Sequence, residues 1–341
     1  MLSVLTKSIH LIDYQNNNVT VREIPDSFNE YVYELINYIT DNTSVRHYKT
    51  RSETTQVVSN VRLVANNTDI MSMSSSDIAQ RLLLKESEAQ SRIQRLRTSV
   101  KKGSLIQALV DKQDTNELIY LLAKVEHSDF VDDSDLSFKT GFSKDKKTIW
   151  KTCILSINSE DSYSIQDALI YSDTKAKYWS DDFLELDEMI TDEVNTDKAF
   201  RAIDETLSRN VKNVAPNDYV YIRNSFIGYL KSNEHIDYMG MIDTLLGNYV
   251  PTELSDASLT SLKTKLNELP SKRDFDYQFT SIPTAIKAKI KRTYPVYSGI
   301  EIRVNDYIDN IKETIKACEE TDGTKYLKIK TNNNTTYNFF K

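Results

Sequence analysis

The stretch that decides the fold is residues 105–125, which read LIQALVDKQDTNELIYLLAKV. Two short apolar runs, residues 105–110 and 118–125, flank the polar segment 111–116. Short apolar runs bounded by turn residues are typical of buried strands joined in a hairpin. The sequence therefore predicts a β-hairpin in the middle of the chain.

Further strand patterns lie on both sides of this hairpin, at residues 4–12, 19–24, 136–142 and 148–157. The first two are predicted to form one hairpin, and the last two another with residues 143–147 as its turn. Together with the central pair, they provide enough strands for a mostly antiparallel sheet.

Three amphipathic helices are predicted among these strands. Apolar residues recur three and four positions apart over residues 28–39, a second helix is indicated over 53–65, and a third over 77–96. A polar break at residues 66–76 separates the last two. The helices would cover one face of the sheet, which gives an α+β domain over residues 1–196.

The rest of the chain has a helical pattern that ends near Pro270. After it the strand period returns, and Asp322-Gly323 lies between two alternating runs. An Asp-Gly pair in that position is a strong signal for a tight hairpin turn. We therefore predict a helical domain over residues 197–341 that ends in a β-hairpin.

Glycine is scarce in this protein, with only seven among 341 residues, and no Gly-x-Gly pair occurs. Loops that cradle nucleotide phosphates need such glycines, because only glycine lets the backbone approach so closely. Rossmann and P-loop nucleotide sites are therefore excluded. Any polyanion would have to be held by side chains.

The net charge of −7 is unevenly distributed along the chain. Residues 111–196 hold 20 Asp/Glu against 9 Lys/Arg, whereas residues 1–110 and 197–341 each carry a net charge of +2. An acidic chain repels polyanions as a whole, so nucleic-acid binding would depend on local basic patches. The acidic region 111–196 is expected to face away from DNA, towards a second copy or another protein.

Two basic patches are candidates for DNA contact, against the alternative that each is an ordinary solvated surface. One is diluted by Glu86 and Glu88, and its cations are Arg81, Lys85, Arg92, Arg95, Arg97, Lys101 and Lys102. The other consists of Lys287, Lys289, Lys291, Arg292 and Arg303. Lys287, Lys291 and Arg292 are predicted on adjoining parts of one helical face. Tyr294 and Tyr297 follow, and cations beside aromatic rings suit a surface that tracks a nucleic-acid backbone.

No metal or cofactor motif stands out in the sequence, and no cofactor is expected. The four histidines are isolated, at His10, His47, His127 and His235. Cys153 and Cys318 are expected to be ordinary buried thiols. The carboxylates at residues 126–135 are interpreted as a solvated turn, and those at residues 181–193 as a linker or a protein-facing surface.

A Mg²⁺-dependent nuclease is an alternative. Restriction-type cores place an Asp at the start of one strand and Glu-x-Lys on the next, so that carboxylates bind the metal and the lysine polarises the phosphate. Here Lys124 precedes Glu126 in the reversed order, with Asp111 or Asp114 before them. Because the match is weak, we expect no catalysis.

One set of segments runs along the chain in order: residues 108–110, 118–127, 148–155, 177–184, and 298–302 with the hairpin through Lys330. These segments resemble the strand core of bacterial nucleoid-associated proteins of the NdpA/YejK type. The resemblance implies a cytoplasmic protein that associates with the nucleoid and binds duplex DNA with little sequence preference. It carries over no catalytic residues.

The function expected from the sequence is therefore largely non-sequence-specific binding of double-stranded DNA, without catalysis. The expected contacts are Lys287, Lys289, Lys291, Arg292, Arg303, Lys101 and Lys102. A homodimer would double the weak basic patches. The second alternative is an acidic protein-interaction module, such as a component of phage defence. The chain has no apolar run of membrane-spanning length and no signal-peptide pattern, so a cytoplasmic location without a membrane is expected.

Overall fold

The computed structural model describes residues 2–41, 45–93, 103–113, 115–131, 137–142, 149–172 and 178–341. The chain divides into two compact units, unit 1 (Met1–Met189) and unit 2 (Ile190–Lys341). The predicted boundary at residue 196 falls inside a helix of unit 2. That helix begins at Asp192, where the Thr191 side chain accepts a hydrogen bond from a backbone N–H of the first turn.

In unit 1 the described helices lie among the first strands, and a run of consecutive strands follows them. Its described elements are β1 (Leu2–Asp13), β2 (Asn18–Arg22), α1 (Phe28–Thr40), β3 (Arg46–Thr50), α2 (Gln56–Asn66), α3 (Met71–Ile93), β4 (Gly103–Lys112), β5 (Glu117–Val131), β6 (Phe138–Phe142), β7 (Ile149–Asn158), β8 (Ser164–Ser172) and β9 (Leu186–Glu188). A π-helical turn, Tyr178–Phe183, precedes β9.

The strands of unit 1 form one antiparallel sheet in the order β2-β1-β4-β5-β7-β8-β3-β9, which confirms the predicted α+β class. The hairpin predicted from residues 105–125 lies at its centre as β4 and β5. The pairing of residues 136–142 differs from the prediction. β5 is long enough to pair with β7 along its first part and with β6 along its last part, so in the described residues β6 pairs with β5.

Helices cover both faces of the sheet, so the prediction of one covered face was wrong. Side chains alternate between the two faces of a strand. Leu105 and Tyr120 pack in one core with α2 and α3, whereas Ile106 and Leu121 pack in another core with α1. β4 and β5 are therefore buried on both sides, which explains why they read as continuous apolar runs.

The third helix begins earlier than predicted. The Asn67 side chain accepts a backbone hydrogen bond at 3.0 Å and starts a 3-10 turn, Thr68–Ile70, that leads directly into α3 at Met71. Residues 66–76 had suggested a break because Ser and Asn favour turns and caps over helix interiors. The predicted end at residue 96 lies outside the described residues.

Unit 2 is helical with short strands, as predicted for a helical domain that closes in a hairpin. Its elements are α4 (Asp192–Asn210), α5 (Pro216–Ser232), β10 (His235–Asp237), α6 (Tyr238–Leu246), α7 (Asp256–Asn267), α8 (Leu269–Arg273), β11 (Gln278–Thr280), α9 (Pro283–Ile286), β12 (Arg292–Tyr297), β13 (Ile300–Val304), α10 (Ile311–Thr314), β14 (Ile315–Glu319), β15 (Lys325–Ile329) and α11 (Asn334–Phe339). None of the described helices in either unit is long and apolar enough to cross a membrane.

Two hairpins close the chain instead of one. β14 and β15 pair around Gly323, whose φ of +84° is the left-handed conformation that glycine favours, so the predicted Asp-Gly hairpin is confirmed. β12 and β13 form a second hairpin before it. The apolar residue Ile311, which was expected to continue the strand pattern, begins the short helix α10.

A buried carboxylate holds the loop before α7 against α5. Asp218 is fully buried and accepts hydrogen bonds from the Tyr249 hydroxyl and from the backbone N–H groups of Thr252, Glu253 and Leu254, at 2.7 to 2.8 Å. Burial opposes ionisation of Asp218, yet the four hydrogen bonds together lower its pKa below the ordinary value. The charged form of Asp218 therefore stabilises the fold of unit 2.

Candidate functional site

The basic segment 287–292 is not a helix. α9 ends at Ile286, and Arg292 begins β12. Successive side chains of β12 alternate between the two faces of the hairpin. Arg292 and Tyr294 therefore lie on the same face. The prediction that Lys287, Lys291 and Arg292 share a helical face was therefore wrong.

Two of the predicted DNA contacts in this segment belong to internal ion pairs. The Lys289 ammonium contacts the Asp197 carboxylate. Arg292 Nη2 donates to Asp204 Oδ2 at 2.6 Å, and Arg223 Nε donates to the other oxygen of Asp204 at 2.6 Å. Lys289 and Arg292 therefore hold the segment against α4, and they are not available to phosphate in this conformation.

The other three predicted DNA contacts of this basic patch, two in the segment and one on β13, are exposed. The side chains of Lys287, Lys291 and Arg303 form no ion pair with a described residue. Arg303 lies directly opposite Thr293 in the β12–β13 hairpin, on the face opposite to Arg292. Lys291 is exposed immediately before β12 begins.

The second hairpin presents further cations that the sequence analysis missed. Lys316 and Lys328 lie directly opposite each other on β14 and β15, next to the pair Cys318 and Tyr326. Glu313 pairs with Lys316 at 2.7 Å, whereas Lys328 has no ion pair with a described residue. The alternation in Lys-Tyr-Leu-Lys-Ile was the available signal, since it places Tyr326 and Lys328 on one face.

Several exposed cations of this region lack an ion pair with a described residue, and we call five of them the C-terminal cations: Lys287, Lys291, Arg303, Lys328 and Lys330. Tyr297 and Tyr326 are exposed near them, at 77% and 46% of their surface. No residue after Ile290 is buried in unit 2. The C-terminal hairpins therefore form an open layer of cations and aromatic rings.

A groove lies between this layer and α5. Its volume is about 550 Å³ and its walls include Val220 and Ile227 from α5, Ile302 and Val304 from β13, and Leu327 from β15. These walls are the inner faces of both hairpins. Lys291, Arg303 and Lys328 do not line the groove, whereas Lys316, which pairs with Glu313, lies at its edge.

One loop anchors the hairpins to α5. The Asn224 side chain donates to the Ile308 carbonyl at 2.9 Å and accepts from its N–H at 3.0 Å. Tyr307 packs on Gly228, where a Cβ would lie 2.6 Å from the tyrosine ring. Gly228 is therefore required for this close approach, and a larger residue would displace the loop.

The described cations of the unit 1 basic patch are paired with acidic residues of the same unit. Arg81 donates to the Asp182 and Phe183 carbonyls at 2.8 Å and pairs with Glu185 at 2.9 Å. Arg92 pairs with Asp182 at 2.8 Å. Lys85 pairs with Glu88 at 3.0 Å. The predicted contacts Lys101 and Lys102 lie outside the described residues, as do Arg95 and Arg97.

The acidic residues 181–188 are part of the packed fold, so their interpretation as a linker was wrong. Trp179 and Phe183 of the π-helical turn are buried in the core. Arg51 bonds to Asp181 at 2.7 Å and to Asp187 at 3.0 Å, and these hydrogen bonds raise the pKa of Arg51. The carboxylates therefore face arginines of unit 1.

The lysine of the nuclease alternative is buried. Lys124 is 2% exposed, and its ammonium contacts Glu86, which is completely buried on α3. The side chains of Asp114 and Glu126 lie outside the described residues. Among the described residues, no group of three or more His, Cys, Asp and Glu could hold a metal ion.

A second buried lysine lies beside this pair. Lys124 and Lys151 are directly opposite each other on β5 and β7, next to a bulge in the pairing. The Lys151 ammonium lies 5.3 Å from the centre of the Tyr178 ring, in the range of a cation–π contact. Glu86 Oε2 has no hydrogen-bond partner among the described residues. The core of unit 1 therefore contains a charged cluster, which no sequence motif indicated.

The histidines and cysteines are dispersed through the described structure. Burial lowers the pKa of His10, whose ring lies 3.3 Å from the Ser76 hydroxyl. Burial also raises the pKa of Cys153, which suits an unreactive core thiol. Cys318 is half-buried on a hairpin, so the expectation of a buried thiol was wrong there.

No family model and no curated protein matches this chain. The resemblance to the NdpA/YejK type is therefore still a prediction.

Proposed function

We propose that this protein binds double-stranded DNA with little sequence preference, without catalysis, through the outer faces of its two C-terminal hairpins. The observation that supports the proposal is the set of five C-terminal cations, which are exposed and have no ion pair with a described residue. Cations that already pair with carboxylates gain less from a phosphate, because they must first lose a partner. The C-terminal cations have no ion pair with a described residue to lose, although Lys287 acts on Asp306 and Lys330 acts on Glu313 at longer range, and each lowers the pKa of that carboxyl group.

The physical basis is release of counterions from the duplex. Each Lys or Arg that neutralises a phosphate frees about 0.9 condensed counterion, so affinity falls as salt rises. Such contacts position a protein on DNA without reading its sequence. The exposed Tyr297 and Tyr326 add contact surface beside these cations. Association with the nucleoid would follow from this affinity.

A titration of duplex DNA between about 50 and about 200 mM salt tests the proposal. The test variant replaces all five C-terminal cations by glutamine. We expect its affinity to fall by at least about tenfold at low salt and the slope against salt to flatten by about one unit per cation that contacts phosphate. Lys289 and Arg292 are left intact, because their ion pairs hold the fold together.

The matched control removes five exposed cations that do form ion pairs in unit 2: Lys198, Arg201, Arg209, Lys272 and Arg273. Both variants change the net charge equally, so a loss of affinity confined to the first places the contacts on the hairpins. Equal losses in both variants would contradict that placement.

The same titration separates the alternatives. Incubation of plasmid DNA with Mg²⁺ in parallel tests for nicking, and nicking that is lost on Asp114→Asn would support the nuclease. Absence of binding at low salt, with a protein that co-purifies, would support the interaction module.

A further inference from the structure

The groove between α5 and the hairpins has a size that suits a small ligand. Its volume of about 550 Å³ lies within the usual range of ligand pockets, about 300 to 1,000 Å³. Val220, Ile227, Ile302 and Leu327 make much of the wall apolar. Such a wall does not suit a nucleic-acid backbone, which needs several cations side by side.

The charges of the groove are mostly neutralised by neighbours. Asp306 contacts Lys231, and Arg223 and Arg292 share Asp204. Their partners leave little net attraction for a ligand.

Lys312 is different. Its ammonium lies 4.2 Å from the centre of the Tyr221 ring and forms no ion pair with a described residue. An aromatic face holds an ammonium in place without neutralising its charge. The groove therefore combines an apolar wall with one positioned positive charge.

We propose that this groove binds a small amphipathic anion, an unbranched apolar chain that ends in a carboxylate, with the carboxylate on Lys312 and the chain along Ile302 and Leu327. A charge-assisted hydrogen bond from Lys312 would fix the orientation, and burial of the chain would supply most of the affinity. This site goes beyond the proposed DNA binding and does not depend on it.

The exposed aromatic tail of a second copy is a weaker candidate for the groove. Tyr337, Phe339 and Phe340 are exposed at the end of the chain, at 54%, 79% and 89%. The nearest charged side chains in the sequence are Lys330 and Lys341, so this segment brings no side-chain carboxylate to a groove that is already positive. Charge complementarity therefore favours the anion.

Calorimetric titration with dodecanoate and with dodecanol, both below their aggregation limits, tests the proposal. We expect saturable binding of dodecanoate at one site and binding of dodecanol at least about tenfold weaker. Lys312→Gln should weaken dodecanoate by about tenfold and leave dodecanol unchanged. Lys328→Gln is the matched control, because it removes one lysine from the outer face of the same layer.

Ala317→Phe provides a second variant, because Ala317 lines the groove opposite Leu327 and a phenyl ring there would obstruct the proposed path of the chain. Both ligands should then fail to bind. Equal binding of the two ligands, equal effects of Lys312→Gln and Lys328→Gln, or no saturation would overturn the proposal. A dimer that Ala317→Phe disperses would assign the groove to a second copy and would also overturn it. DNA affinity measured on the same samples reports separately on the proposed function.

Discussion

The cations of unit 1 and the C-terminal cations of unit 2 have opposite surroundings. In unit 1, Arg81 and Arg92 bond to the acidic turn at residues 181–188, and Lys124 bonds to buried Glu86. In unit 2, Lys291, Arg303 and Lys328 extend into solvent with no ion pair to a described residue. Cations of the first kind stabilise the fold, and those of the second kind are available to a partner.

This difference gives a rule for basic patches. A run of Lys and Arg indicates a binding surface only where the folded chain brings no carboxylates to it. The described cations of the unit 1 patch, Arg81, Lys85 and Arg92, are paired internally with acidic residues of the same unit. Charge changes should therefore affect stability in unit 1 and binding in the C-terminal layer.

The largest effect on stability is expected from Glu86→Ala, which removes the partner of the buried cation Lys124 in unit 1. The change leaves Lys124 buried without its partner and should cost about 3 to 5 kcal/mol of unfolding free energy. Both tryptophans of the chain, Trp150 and Trp179, lie in unit 1. Tryptophan fluorescence during urea unfolding therefore reports on this unit.

The half-buried neighbour pair of Lys85 and Glu88 supplies the control for that change. Glu88→Ala should cost less than about 1 kcal/mol, because Lys85 and Arg92 stay hydrated. Adding Lys124→Leu to Glu86→Ala should recover part of the loss. If the double variant recovers no stability, the unpaired charge of Lys124 is not the cause of the loss in Glu86→Ala.

Asp218→Asn is expected to have the next largest effect and extends the comparison to a buried anion in unit 2. An amide has one acceptor oxygen in place of the two that take four hydrogen bonds, so we expect a loss of about 3 kcal/mol. Folding lowers the pKa of Asp218, so its stabilisation is complete above its unfolded pKa of about 3.9 and is lost as pH falls towards the folded pKa. In the variant, the unfolding free energy of unit 2 should fall less steeply as the pH decreases from about pH 5 to pH 3, as measured by hydrogen exchange of α5. The same pH dependence in the variant and in the original protein would contradict this role.

Arg81→Gln is expected to cost unit 1 about 2 kcal/mol, since two backbone carbonyls and Glu185 lose a charged donor. Tryptophan fluorescence is again suitable, because Arg81 bonds to the turn that contains Trp179. DNA affinity should not change. A fall in DNA affinity without a loss of stability would place a DNA contact in unit 1. It would contradict the division between structural cations in unit 1 and binding cations in unit 2.

Lys328→Gln is expected to have the smallest effect on stability, and this effect is a gain where the other variants lose stability. Lys316 lies directly opposite, so removing one of the two like charges should stabilise the hairpin by about 0.3 kcal/mol. Hydrogen exchange of β14 and β15 measures this gain. A clear loss of protection would mean that Lys328 has a structural role.

The central hairpin and the Asp-Gly turn could be predicted because both depend on neighbours close in sequence. The ion pairs could not, since Asp197 and Asp204 on α4 are far in sequence from Lys289 and Arg292. These pairs decide which predicted DNA contacts are free. Long-range contacts of this kind leave no local pattern.

Some of the missed residues did leave a readable signal. Glu86 follows Ile78 and Leu82 at four-residue spacing, so it lies on the buried face of α3. Lys124 follows Tyr120 and Leu122 on one face of β5. A charged residue on each of two apolar stripes indicates a buried pair, although it does not reveal which residues pair.

The two C-terminal hairpins have a consequence for self-association. Each is a two-stranded sheet, so all four strands are edges that could recruit another strand. Pro295 removes one donor from β12, and Lys325 and Lys328 place charges along β15. Repulsion between these lysines would keep free copies apart in solution. Neutralisation of the lysines by a polyanion would remove the repulsion, so the edges of neighbouring bound copies would be free to pair.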